Sequence, residues 1–141
     1  MLVDANLLLY AVDALSPLNR AAAAWLQQIL DGDQRVALPW QTIGAFLRIS
    51  THPRVTTNPL SAAEAMAYVD TWLNAAPVWI PSATERTATV LSGLVTRHRL
   101  TGNLIPDAQL AALAIEHGLV LMSSDTDFAR FDEIRWQNPL A

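Results

Sequence analysis

Residues Asn103 to Phe128 read NLIPDAQLAALAIEHGLVLMSSDTDF, a helix feeding a strand that ends in a burst of carboxylates. Pro106 suits the first turn of a helix, where its missing N–H costs nothing, and Gly118 can close that helix in a left-handed conformation. The helix is therefore expected over about Ile105 to His117. On a wheel at about 100° per residue, Asp107 falls on the apolar stripe with Leu110, Ala111, Ala114 and Ile115, while Gln109 and Glu116 share another face. Leu119 to Met122 is a short uninterrupted apolar run, as expected of a strand covered on both faces of a parallel sheet. Asp125 and Asp127 follow its carboxyl end.

The start of the chain repeats half of this pattern. Met1 to Val3 is apolar, Asp4 ends the run, and Asn6 to Val12 returns to helical spacing. In a right-handed βαβ unit the crossover helix runs against its strands and begins at the edge where they end. Asp4, Asp107 and Asp125 are thereby expected at one edge, where open α/β sheets bind ligands near the point of strand-order reversal.

Between these ends, Ser16-Pro17 opens a helix over Leu18 to Leu30 that Asp31-Gly32-Asp33 terminates, and Val36 to Leu38 is a short strand. A helix follows over Trp40 to Ser50, then a loop from Thr51 to Pro59. Ser61 and Glu64 have the spacing of a capping box at the head of a helix reaching about Asn74. Val78 to Ile80 reads as a strand, Thr84 to His98 as a helix, Ala129 to Phe131 as a helical turn and Arg135 to Gln137 as an edge strand. The alternation of strands and helices predicts a three-layer α/β/α sandwich with a mostly parallel central sheet, formed as one domain over residues 1–141.

Composition narrows the function classes. No apolar run approaches the roughly 20 residues of a membrane helix, and the apolar N-terminus has no basic region before it and is interrupted by Asp4, unlike a secretory signal. The cytoplasm is the expected compartment. Zero cysteines exclude disulfides and thiolate metal sites. All nine basic residues are arginine, and the net charge of −4 argues against broad electrostatic capture of nucleic acid. Any such contact must be local. The arginine pairs Arg48/Arg54 and Arg97/Arg99 are placed to meet phosphates or to be solvated. Trp25, Trp72 and Trp79 are expected in the core.

Three to four Asp residues at one edge repel one another unless a cation neutralises them, and hard Mg²⁺ or Mn²⁺ prefers such carboxylates. An ion of this kind polarises a phosphodiester oxygen and lowers the pKa of a bound water, so the implied chemistry is phosphodiester hydrolysis. Glu116 faces away from Asp107, and Asp31, Asp33, Asp70, Asp132 and Glu133 are expected to be solvated. His52, His98 and His117 lack zinc-site spacing and are assigned surface or capping roles.

The segments DANLLLYAVD, GNLIPDAQLAALAIEHG and SSDTDFARF, in this order and at these spacings, resemble a PIN domain over the whole chain. RISTHPRV and the WQNPL tail are similar to VapC-like toxins of toxin–antitoxin operons. The resemblance implies a metal-dependent endoribonuclease acting on an RNA substrate, restrained by a small VapB-like antitoxin and often a homodimer. It makes Asp4 and Asp107 the principal Mg²⁺ (or Mn²⁺) ligands, with Asp125 a further acid and Asp127 close by. Asn6 and Ser123 become groups that hydrogen-bond the ligands. The glutamate usual in the helix after the second strand is replaced by Ala45. Asp127 can stand in for it, or Gln41, one turn earlier on the same face, can order a metal-bound water.

Two other readings compete. One is a protein that keeps the fold and binds RNA or an antitoxin without cutting. The other is a phosphatase of the haloacid-dehalogenase type, whose opening motif needs a second Asp where Asn6 stands.

Overall fold

A computed structural model describes all 141 residues. In chain order it contains β1 (Leu2–Val3), α1 (Ala5–Val12), α2 (Asn19–Leu30), β2 (Val36–Ala37), α3 (Trp40–Ser50), α4 (Ala62–Leu73) and β3 (Val78–Trp79). There follow α5 (Thr87–His98), α6 (Leu104–His117), β4 (Val120–Met122), a 3₁₀ helix (Thr126–Arg130) and β5 (Arg135–Gln137).

Successive side chains of a strand point to opposite faces, and this alternation sorts the helices into two layers. Leu2, Ala37 and Leu121 are level neighbours in the register and pack with α5 and α6. Val3, Val36 and Met122 face the other way, onto Leu7, Leu8, Leu26, Phe46 and Trp72 of α1 to α4. Both faces of the sheet are covered, which is why its strands are apolar runs without polar alternation. The strand order is β3-β2-β1-β4-β5 and every pairing is parallel. The expected α/β/α sandwich is present, with a wholly parallel sheet. The central strands β1 and β4 carry Asp4 and Ser123 immediately past their ends.

Local chemistry sets the helix boundaries. Ser61 Oγ accepts from Glu64 N at 3.1 Å while Glu64 Oε1 accepts from Ser61 N at 2.9 Å, the expected capping box. Gly118 ends α6 at φ +65°. Two boundaries differ from expectation by more than one residue. The helix expected from Thr84 begins at Thr87, because Thr84 N donates to Thr87 Oγ1 and Arg86 N to Thr84 Oγ1, side-chain bonds that hold a turn in place of a helical one. The helical turn expected over Ala129 to Phe131 is a 3₁₀ helix starting at Thr126, because Asp125 Oδ1 caps Asp127 N at 2.8 Å.

The tryptophans differ in part from expectation. Of the tryptophans expected in the core, Trp72 is buried and meets Phe46 edge to face, whereas Trp25 and Trp79 are only partly buried at the rims. Asp132 and Glu133 are exposed, as expected, and pair with Arg97 at the surface at 2.9 and 3.5 Å. Glu133 also meets His98 Nε2 at 2.8 Å, and the imidazole packs edge-on to Phe131. No helix is long and apolar enough to cross a membrane.

Candidate active site

Asp4 leaves β1 with extended backbone and caps α1, its Oδ1 accepting from Ala5 N at 2.7 Å. Its Oδ2 accepts from Ser123 Oγ, also at 2.7 Å. That hydroxyl in turn accepts from Asn6 Nδ2 at 3.1 Å and from Asp125 N at 3.0 Å. The fully buried Ser123 thus ties together the residues that follow both central strands. Trp136 Nε1 donates to Ser123 O at 3.0 Å and fixes the same turn from β5.

Asp107 reaches this edge from the first turn of α6, half-buried. One carboxylate oxygen from each of Asp107, Asp125 and Asp127 lies within 4.8 Å of the other two. Asp4 stands outside that tight group, but its charge acts on Asp107 and the charge of Asp125 acts on it. Burial raises the pKa of Asp4; its hydrogen bonds from Ser123 and Ala5 oppose the rise, and Asp125 adds to it. For Asp107, burial and then repulsion by Asp125, Asp4 and Asp127 push the pKa up to about 6. Arg130 pulls the other way. It also lies 3.6 Å from Asp127, an i, i+3 pair that the spacing DFAR made readable.

A cleft of about 220 Å³ opens here, with Asp4, Asn6, Gln41, Ala45, Asp107 and Asp125 around apolar Leu9, Ile49 and Leu110. Gln41 and Ala45 therefore face the carboxylates, one turn apart on α3. Thr42 between them is buried and donates to Val3 O at 2.7 Å, which anchors α3 to the end of β1. No local pattern in the chain marks Thr42 or Trp136 for these roles. Asp127 is more exposed than its neighbours and does not line the cleft. Glu116 is held by Thr84 and Thr87, away from the site.

The donor set suits a hard divalent cation. It consists of carboxylate oxygens whose mutual repulsion such an ion relieves, together with Asn6 Oδ1, which is buried beside the cleft without a hydrogen-bond partner. No nitrogen or sulfur ligand lines the cleft, so a soft or borderline ion has no reason to prefer it.

Comparison with known proteins agrees with this fold. A family model described as "PIN domain" matches residues 1–134. Ribonuclease VapC33 of Mycobacterium tuberculosis is 42% identical over 137 residues, covering 97% of this chain and 96% of that protein. Among solved structures, VapBC2 of Rickettsia felis bound to a promoter DNA fragment contains a chain with a TM-score of 0.68 at 15% identity, over 97% of this chain and 96% of that one. The sarcin-ricin loop cleaving toxin VapC20 of M. tuberculosis has a TM-score of 0.66 at 18% identity, over 95% and 98% of the two chains.

Proposed function

The chain belongs to the PIN-domain family, and from that premise we propose that it is a divalent-metal-dependent endoribonuclease, the toxin of a toxin–antitoxin pair. The observation that carries this reading is the convergence of Asp4, Asp107 and Asp125 on one cleft at the carboxyl edge of the sheet, with Asp107 pushed up to about 6. The nearly full-length similarity to a protein named a ribonuclease supports RNA as the substrate.

Asp4, Asp107 and Asp125, with Asp127 at the rim, would hold Mg²⁺ or Mn²⁺. Bound there, the ion supplies a polarised phosphodiester oxygen and a water acidic enough to lose its proton near neutral pH. The rest falls to the chain itself. Ser123 fixes the orientation of the Asp4 carboxylate through its hydroxyl, and Asn6 and the Asp125 amide fix Ser123. This bonding holds Asp4 still, so that it stabilises positive charge in the cleft at little reorganisation cost. Gln41 presents an amide to the same space and orients water there, while Leu9, Ile49 and Leu110 keep one wall dry.

The acidic cleft also defines the restraining partner, a small antitoxin that presents an Arg or Lys to the carboxylates. Neighbours solved as VapBC complexes support it. A homodimer belongs to the same proposal, and the exposed Met66 and Tyr68 of α4 are apolar surface available to it. A second reading rests on Ala45, which leaves the α3 wall of the cleft without a carboxylate: a protein that binds RNA or the antitoxin without cutting.

Incubation of a structured RNA with the protein in Mg²⁺ or in EDTA, resolved on a gel, separates the two. Endonucleolytic products only with Mg²⁺ are expected; an RNA left intact under both conditions supports the binding reading. Expression alone is expected to arrest growth and co-expression of the antitoxin to rescue it, whereas equal arrest by Asp4→Asn would place the cause elsewhere.

A further inference from the structure

A second cleft, of about 660 Å³, opens at the amino edge of the sheet, the opposite end of the strands from the carboxylates. Its walls come from residues that lead into strands: Gln34 and Arg35 before β2, Leu119 before β4, and Arg135 at the start of β5. No carboxylate lines it. Arg35 lies over the ring of Trp79, with Cζ 4.3 Å from the ring centroid. A guanidinium stacked in this way keeps its N–H edges free for bidentate contact with an oxyanion. Arg135 donates from Nη2 to Gly118 O at 2.9 Å, which fixes its guanidinium at the cleft wall. Neither arginine has a carboxylate partner, in a chain with 13 acids and 9 arginines. The buried indole N–H of Trp79 also lacks an acceptor.

We propose that Arg35 and Arg135 grip a backbone phosphate of the RNA, anchoring it at the edge of the sheet opposite the carboxylates. The assignment to RNA rests on the ribonuclease reading above; the preference for a phosphate rests on the cleft alone. An acidic protein that cuts in an acidic cleft gains little attraction for a polyanion from its net charge, so affinity has to come from local cationic sites. Strands of two or three residues span only about 7–10 Å. The two edges are close enough for one folded RNA to touch both.

The test uses the full chain carrying Asp107→Asn, in EDTA, so that binding is read without cleavage. Its outcome is therefore independent of whether the wild-type protein cuts. A short fluorescein-labelled single-stranded RNA is titrated by anisotropy over a range of salt, and pyrophosphate by calorimetry. Arg35→Gln and Arg135→Gln are compared with Arg20→Gln, an exposed arginine on α2 outside the cleft. Each cleft variant is expected to weaken RNA binding about tenfold and to lower the slope of log K against log salt by about 0.7, the single-strand value for one lost phosphate contact. Arg20→Gln is expected to do neither. Loss of pyrophosphate binding with unchanged RNA binding would give the cleft to free phosphates and overturn the RNA assignment. Equal behaviour of all three variants in both titrations would overturn the site.

Discussion

Replacing Asp107 by Asn removes one charge from a cluster that repels it, and the structure sets the size of the effect. A rise from the ordinary 3.8 to about 6 corresponds to about 3 kcal/mol at 1.36 kcal/mol per pH unit. Because the carboxyl is half exposed, solvent screening reduces this to about 1.5 kcal/mol. The sign follows from proton uptake. Between about 3.8 and 6 the folded protein binds the proton that the unfolded chain has released, so the metal-free protein loses stability as pH rises through that window. Asn carries no such penalty. Thermal melts in EDTA at pH 7.5 are expected to place Asp107→Asn about 4 °C above wild type, at about 2–4 °C per kcal/mol. At pH 4 the two should converge. Adding Mn²⁺ should raise the wild type and leave the variant nearly unmoved, since binding to the folded state alone raises the melting point by mass action. Equal melting at pH 7.5, or the same gain at both pH values, would refute the repulsion on which this reasoning stands.

Asp4→Asn should abolish cleavage but gain no comparable stability. Ser123 Oγ already accepts twice and donates only to Asp4 Oδ2, so an amide nitrogen placed there loses a buried bond worth about 1 kcal/mol; melts in EDTA below those of Asp107→Asn are the expected result. Ala45→Glu would return a carboxylate to the cleft wall, so calorimetry should show tighter Mn²⁺ binding and melts a lower metal-free melting point. If neither changes, Ala45 does not face the carboxylates. Ser61→Ala breaks the capping box and should cost about 1 kcal/mol in urea unfolding while leaving cleavage intact.

The parts of the fold legible in the sequence are those with local causes. Pro106 and Gly118 bracket α6, and the hydrophobic stripe that includes Asp107 turns that carboxylate inward. A strand followed by Asp, at Val3-Asp4 and again after Met122, places two more acids at the same edge because parallel strands end together. The role of Ser123 is implied by the family resemblance and not by the residue pattern. Its hydroxyl joins partners 119 and 117 residues away in sequence, and no local pattern announces a bond of that range. The amino-edge cleft was hidden for the same reason, since Arg35, Trp79 and Arg135 come from three separate segments. The ion pairs of Arg97 with Asp132 and Glu133 likewise need the register of β5 against β4 before they can be seen.

The most direct test of the central claim is the cleavage rate of one structured RNA as Mn²⁺ is titrated into metal-stripped protein, wild type beside Asp107→Asn. The carboxylate cluster predicts a rate that starts at zero, rises and saturates for the wild type, and stays at background for the variant at every concentration. Cleavage by the stripped wild-type protein, or a variant that follows the wild-type curve, would contradict it.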